Sequence, residues 1–407
     1  MDHNDEILNL QFKMTDKGRI DRIGDLYTTY NPSVDIEALR QKGYLLAVEK
    51  MMEPVTMSFD DHDPKVIAYW AKLGMVKEFH GENVPMSWSE YECKTGFHWE
   101  DTNNDGPQNL HKQWTSFVPV SAFQEENRER RYPTVIVLHG GFNPKSIIDG
   151  WGFPQEAAKR EWIVLAPSLE LSDLVEEMLI QAEELYPVDP ERVYITGFSY
   201  GGFMSDRNAL ERPELFAAAG PCGAPIGCND LRQMAHSPEP MRPFDEKKSA
   251  HGRRITMPVM NCYGNLDGNR FPIFDSGRNA DGPVHYQPEE LVNGINFWCE
   301  VNDAEPVSLK EVMELRNRAD VSAEEQHIGI PLASDCHRTI VADGITNYIG
   351  DIRSRDGVVR MRIMCEMNMP HWPAPEMIRQ LYDFFEPFSR RNGESYYNPV
   401  RSHTLSK

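Results

Sequence analysis

From Pro133 onward, short β-branched runs alternate with amphipathic helical stretches, and this alternation limits the fold more than any other feature of the chain. "PTVIVLHGG" is an apolar run ending in glycines, "FPQEAAKRE" has helical character, and "WIVLAPS" is the next apolar run. In "LSDLVEEMLIQAEELYP", Ser172 is placed to cap a helix whose residues Leu174, Val175, Met178, Leu179 and Ile180 form a broad apolar stripe. Strand "RVYITGFS", helix "GGFMSDRNALERPEL", strands "FAAAGP", "MPVMNCYG" and "VVRMRIMCEM", and a closing helix "PEMIRQLYDFFEPF" complete the series. Such a series predicts an α/β architecture: a mostly parallel central sheet flanked by helices on both faces. Its ligand is expected beyond the carboxyl ends of the strands.

The rest of the chain divides around this region. Residues 1–85 read as an N-terminal helical extension, with "VDIEALRQKGYLLAVEKMM" and "DPKVIAYWAKLGM" as two amphipathic helices. The extension is a candidate to cap the site, to pack on the sheet, or to join two copies as a homo-oligomer. Residues 86–390 read as the main domain, entered by antiparallel strands around "MSWSEYECKTG" and "TSFVPVSAF". Two insertions, 224–256 and 275–350, interrupt the alternation after strand ends, where a pocket wall would lie. The second holds helical patterns and a hairpin near "TIVADGITNYIGDI". Residues 391–407 read as a C-terminal tail.

Charge and composition exclude several function classes. The 42 Lys+Arg against 63 Asp+Glu give a net charge of −21 with no basic stripe, so nucleic acid is not an expected partner. No run approaches the ~18 apolar residues of a membrane span. The opening "MDHNDEILNL" lacks the pattern of a secretory signal, so a cytoplasmic location is expected. The seven cysteines (Cys93, Cys222, Cys228, Cys262, Cys299, Cys336 and Cys365) are scattered without a CxxC pair, which argues against a zinc ribbon or a disulfide framework. Cys262 and Cys365 fall inside expected strands, where a thiol behaves as a small apolar group.

The chemistry centres on "VYITGFSYGGFM". A bare GxSxG is a weak signal, but here a strand precedes Ser199, Gly197 and Gly201 flank it, and a helix follows. A serine on so sharp a turn tolerates little bulk beside it, and its Oγ stands at the positive end of the helix. Its hydroxyl needs a base within hydrogen-bond reach and a carboxylate to orient that base. In this context the chain order is serine, acid, histidine. Asp267 in "NLDGN" follows a strand and is the candidate acid. His371 in "MNMPHWPAPEM" follows the last strand and is the candidate base, preferred to His285, His327 and His337 in the insertion and to His403 in the tail. An oxyanion hole is expected from the N–H of Tyr200 and a second N–H in the loop after "VIVLHGGF", from Gly141 or its neighbour Phe142.

"LHGG", "GFSYGG", "GNLDG" and "MPHWPAPEM", in this order, resemble the α/β-hydrolase fold, and within it the polyhydroxybutyrate depolymerase and feruloyl esterase-like carboxylesterases. The likeness covers about residues 115–388. It implies a Ser199, Asp267, His371 triad, an oxyanion hole of Gly141 and Tyr200, and hydrolysis of carboxylic esters through an acyl-enzyme. Trp372 directly after His371, and Ala374 where glycine is common, depart from that branch.

Other residues have plainer readings beside the sharper ones. Phe142, Trp151, Trp372 and Tyr200 are candidates for an aromatic substrate pocket, with ordinary packing as the alternative. His139 precedes the serine and is read as shaping its loop. "DTNNDG", with Asp101, Asn103 and Asp105, has the oxygen spacing of a calcium loop, but Lys112 stands where a bidentate Glu belongs, so an Asx-rich turn is expected. No metal or cofactor is required by this chemistry. The expected substrate is a small-molecule or oligomeric ester. A prolyl-oligopeptidase-like serine peptidase uses the same parts, and a non-catalytic hydrolase-fold binding protein is the third reading.

Overall fold

The structure is a computed structural model, and it describes residues 76–79, 82–85, 97–103, 113–139, 153–167, 170–224, 244, 252, 254–265, 288–318, 320–342, 345–367 and 375–399. Two short strands, β1 (Val76–Phe79) and β2 (Glu82–Pro85), form an antiparallel hairpin. They occupy the last ten residues of the expected helical extension; its two amphipathic helices lie outside the described residues. The strands β3 (Phe97–Asn103) and β4 (Gln113–Pro119) then pair antiparallel, as the alternation predicts. Asp101 and Asn103 stand opposite Thr115 and Gln113 in that ladder, so strand pairing extends into the expected Asx-rich turn.

The alternating region begins with β5 (Tyr132–Leu138), α1 (Phe153–Arg160), β6 (Ile163–Pro167), α2 (Ser172–Leu185), β7 (Val188–Phe198), α3 (Tyr200–Glu211) and β8 (Ala218–Cys222). It continues through β9 (Val259–Gly264), α4 (Pro288–Val301), α5 (Leu309–Asn317), α6 (Ala323–Ile328), the hairpin β10 (His337–Ala342) and β11 (Ile345–Arg353), β12 (Val359–Glu366) and α7 (Pro375–Phe385). A last hairpin pairs β13 (Phe388–Arg391) with β14 (Glu394–Tyr397).

One ten-stranded sheet organises these elements, in the order β10-β11-β12-β9-β8-β7-β5-β6-β4-β3. From β12 to β6 every pairing is parallel; antiparallel strands occur only at the two flanks. The parallel strands are buried on both faces, which is why β5, β6, β8 and β9 read as near-continuous apolar runs. Side chains alternate between the faces. Val135 and Val137 pack with Phe153 of α1 and Leu381 of α7, whereas Ile136 and Leu138 pack with Val175 of α2 and Trp298 of α4. Part of the expected rim insertion thus serves the core: α4 lies in the helical layer, and β10 and β11 widen the sheet.

Two local expectations are corrected. Ser172 is not the N-cap of α2; Leu171 holds that position, and the Ser172 hydroxyl donates to Glu211 at 2.5 Å. Ile180 leaves the apolar stripe and is 54% exposed, because the buried face runs along Val175, Met178, Leu179 and Ala182. Among the described residues, no helix is long and apolar enough to cross a membrane.

At the amino ends of the strands, Arg390 of β13 is buried. It donates to the carbonyls of Phe216 at 2.5 Å, Thr256 at 2.6 Å and Gly393 at 3.2 Å. Tyr194 of β7 donates its buried hydroxyl to the Phe388 carbonyl at 2.7 Å. The closing hairpin is thereby fastened under the centre of the sheet.

Candidate active site

The β-branched run "VYIT" carries β7 up the middle of the sheet, and Ser199 ends it abruptly. Its backbone has φ 61° and ψ −122°, one of the few non-glycine residues of the described chain with positive φ. Such a conformation typically costs about 1–3 kcal/mol and persists only where the surroundings enforce it. They do so here through backbone contacts. The Ser199 N–H donates to the Cys222 carbonyl of β8 at 2.9 Å, and the Ser199 carbonyl accepts from the Phe203 N–H at 3.2 Å, so α3 starts at once.

Close approach explains the glycines. A Cβ on Gly197 would stand 2.5 Å from the Gly201 carbonyl oxygen and 2.6 Å from that of Leu138. A Cβ on Gly202 would stand 2.4 Å from the Cys222 oxygen, a requirement that the GxSxG pattern does not reveal. The turn is sharp because strand and helix backbones touch.

Electrostatics at this point favour an anion. Tyr200 is the first residue of α3, so its N–H precedes the hydrogen-bonded ladder of the helix, and no acidic residue lies in the first turn. The Tyr200 side chain is exposed, while Ser199 is almost buried. A central strand, a strained serine between glycines and an immediate helix make up a sharp elbow at the carboxyl end of a parallel sheet.

Comparison with known proteins gives partial likenesses. The sequence pattern of the prolyl oligopeptidase family matches residues 166–255, which include the elbow. Poly(3-hydroxyalkanoate) depolymerase C of Paucimonas lemoignei is 38% identical over 148 residues, 31% of this chain and 33% of that protein. The matched stretch therefore spans about a third of that relative's length. Among solved structures, acetyl xylan esterase from Aspergillus awamori superposes with a TM-score of 0.42 at 11% identity, covering 71% of this chain and 98% of that one. FphF, a fluorophosphonate-binding serine hydrolase of Staphylococcus aureus, superposes with a TM-score of 0.35 at 18% identity, covering 42% and 80%. The sheet itself shows an α/β fold, mostly parallel with helices packed on both faces.

In a parallel sheet of this kind the strand ends decide which loops can meet. Here β7 carries Ser199, β5 beside it launches the loop expected to hold the second oxyanion donor, and β9 and β12 lie beyond β8 on the other side. The Asn265 N–H donates to the Glu366 carbonyl at 2.9 Å, so the chain leaves β9 and β12 side by side. Asp267, His371, Gly141, Phe142, Trp151 and Trp372 lie outside the described residues, as do His285 and His403. Of the eight candidate site residues, Ser199 and Tyr200 are described, adjacent at the elbow.

Two rival histidines are described. His327 ends α6, with its ring stacked on Tyr348 of β11 at 5.2 Å and its carbonyl accepting the Tyr263 hydroxyl. His337 starts β10, five strands from β7 in the sheet, or roughly 24 Å at the usual spacing. His337 thus lies well away from the elbow.

Three acid or thiol features lie near the carboxyl edge; the sequence points to Cys262 as a core thiol and to His139 as a loop residue, but not to their partners or to Glu366. Glu366 ends β12 as a fully buried acid, and a charged residue closing an apolar strand was the available signal. Cys222 and Cys262 are register partners on β8 and β9; burial, and then contact with Cys222, push the Cys262 thiol well up, as befits a core residue. Glu170 lies buried near His139, with Oε1 3.7 Å from Nε2. Among the described residues no cluster of His, Cys, Asp or Glu is arranged to hold a metal ion.

Proposed function

We propose that the protein is a serine hydrolase acting on carboxylic esters through an acyl-enzyme. The observation that carries this reading is the backbone of Ser199, held at φ 61° where strand and helix meet. Strain of this kind concentrates at functional sites and presents Oγ above the sheet. In the proposed reaction Ser199 Oγ attacks the ester carbonyl and His371 takes its proton. Asp267 orients the imidazole and offsets its charge. The tetrahedral oxyanion is stabilised by the N–H groups of Tyr200 and Gly141, aided by the positive end of α3. His371 returns the proton to the leaving alcohol, and water then releases the acid by the same route in reverse. Phe142, Trp151 and Trp372 are proposed to line the pocket.

The launching points support this assignment. From Asn265 the chain needs two residues to reach Asp267, and from Met367 four to reach His371, spans of at most ~7 and ~14 Å. Ester rather than amide hydrolysis is favoured by the 38% identity to a polyester depolymerase across the matched third. The prolyl oligopeptidase pattern over residues 166–255 favours amide cleavage by the same residues, which is the second reading.

A panel of p-nitrophenyl esters of increasing acyl length, run beside peptide p-nitroanilides, separates the two. Ester turnover abolished in Ser199→Ala, with amides inert, is the expected result. Faster amide than ester turnover would reverse the assignment, and activity retained in Ser199→Ala would remove it. The rate should also rise with pH through an apparent pKa of about 6–7 as the histidine base loses its proton.

A further inference from the structure

The segment that follows β6 is fastened to the helix that carries the nucleophile. Fully buried Asn208 of α3 donates Nδ2 to the Glu170 carbonyl at 2.9 Å and to the Met204 carbonyl at 2.7 Å. Two residues on, Ser172 binds Glu211, and Arg212 binds Glu176 at 2.8 Å and Asp173 as well. Glu170 is therefore set rigidly against α3. Its carboxylate, only 5% exposed, reaches across to His139 Nε2 at 3.7 Å, and the imidazole is itself only 15% exposed. His139 is the first residue beyond β5, and the Leu138 carbonyl just before it touches the space left by Gly197.

A buried carboxylate is unfavourable unless a proton or a cation stands beside it. The His139 imidazole beside the Glu170 carboxylate is the contact that fixes the point from which the next loop departs.

We infer that Glu170 and His139 are positioning residues, a buried pair that holds the start of the loop after β5 in fixed register with the elbow, and so aims the oxyanion donor that this loop supplies. The inference rests on the reading of Ser199 as nucleophile. Its signature is specific. A donor misaimed by about 1 Å weakens the transition state far more than the bound ester, so kcat falls while KM is nearly unchanged.

The test uses the full chain with p-nitrophenyl butyrate as substrate and phenylboronic acid as the tetrahedral mimic. Glu170→Gln keeps the shape and removes the charge; His139→Gln alters the other partner, at a less buried position. Each is expected to lose roughly 10- to 100-fold in kcat. KM should stay within about twofold, and boronate affinity should fall by about the same factor as kcat/KM. A purely structural role would lower the melting temperature and leave kcat per folded molecule and boronate affinity unchanged; that result overturns the inference alone. A wild-type chain inert to esters and to a fluorophosphonate probe overturns the nucleophile reading, and the inference with it.

Discussion

The two ends of β7 handle polar groups and backbone strain in opposite ways. Toward its amino end the neighbouring β13 is tied down: Arg390 spends its donors on three carbonyls, and the Tyr194 hydroxyl closes on Phe388. At its carboxyl end Ser199 is held in a conformation it would not choose, and the first N–H groups of α3 point outward. Between them, Val193 to Phe198 of β7 are buried in the packed core. The difference is one of disposition: the lower end spends its donors on neighbouring carbonyls, and the upper end holds a strained backbone at the start of a helix.

Ser199 tests that division most strongly. Ser199→Ala should lower ester kcat by about 10⁴- to 10⁶-fold, as loss of a nucleophile typically does. Ser199→Gly should be equally inactive, yet more stable than Ser199→Ala by about 1 kcal/mol, because glycine accepts positive φ without strain. Ester kinetics and thermal melts of the two variants check both statements. Equal melting temperatures would show that the elbow is not strained in the manner described.

Arg390 tests the other end. Arg390→Met fills a similar volume but leaves the carbonyls of Phe216, Thr256 and Gly393 without this donor. A stability loss of about 3 kcal/mol is expected, with kcat per folded molecule preserved. Urea titration followed by turnover measurements on the folded fraction would reveal a fall in kcat, and such a fall would mean that the two ends are coupled. Gly197→Ala falls between the extremes, since its new methyl group meets the backbone oxygens of Gly201 and Leu138. It should lose about 2–3 kcal/mol and most activity together, being the position where strain and packing coincide.

These contrasts also show what a linear reading can reach. The parallel strands were legible because burial on both faces leaves continuous apolar runs, and the elbow was legible because its strand, serine, glycines and helix are contiguous. Ser172 was misassigned because its hydroxyl goes to Glu211, 39 positions away, rather than to its own helix. Asp101 and Asn103 carry turn propensity, but their register with Thr115 and Gln113 on β4 overrides it. The Glu170–His139 contact was invisible for a similar reason: nothing near either residue in sequence announces the other. Asp267 and His371 remain readings of loop position and chain order. The order of β7, β8, β9 and β12 makes them reachable without itself joining them.

A buried charge cluster away from both ends of β7 provides the smallest effect. Asp351 of β11 is bound by Arg362 of β12 at 2.6 Å and by Arg338 of β10 at 2.5 Å, which ties the edge hairpin to the parallel sheet. Burial pushes the Asp351 carboxyl up, but the two guanidinium groups outweigh it and hold the net value below the usual carboxylate range. A depressed carboxylate contributes stability that is present above its unfolded pKa of about 4 and is lost as pH falls through the lower folded value. Asp351→Asn should therefore destabilise the protein by about 1–2 kcal/mol at pH 7, and the difference from the wild type should shrink steadily below about pH 4. Because β10 and β11 lie at the sheet edge, ester turnover should be unchanged at either pH relative to wild type. A stability gap that persists undiminished into acid would show that packing of the hairpin, rather than the charge on Asp351, joins it to β12.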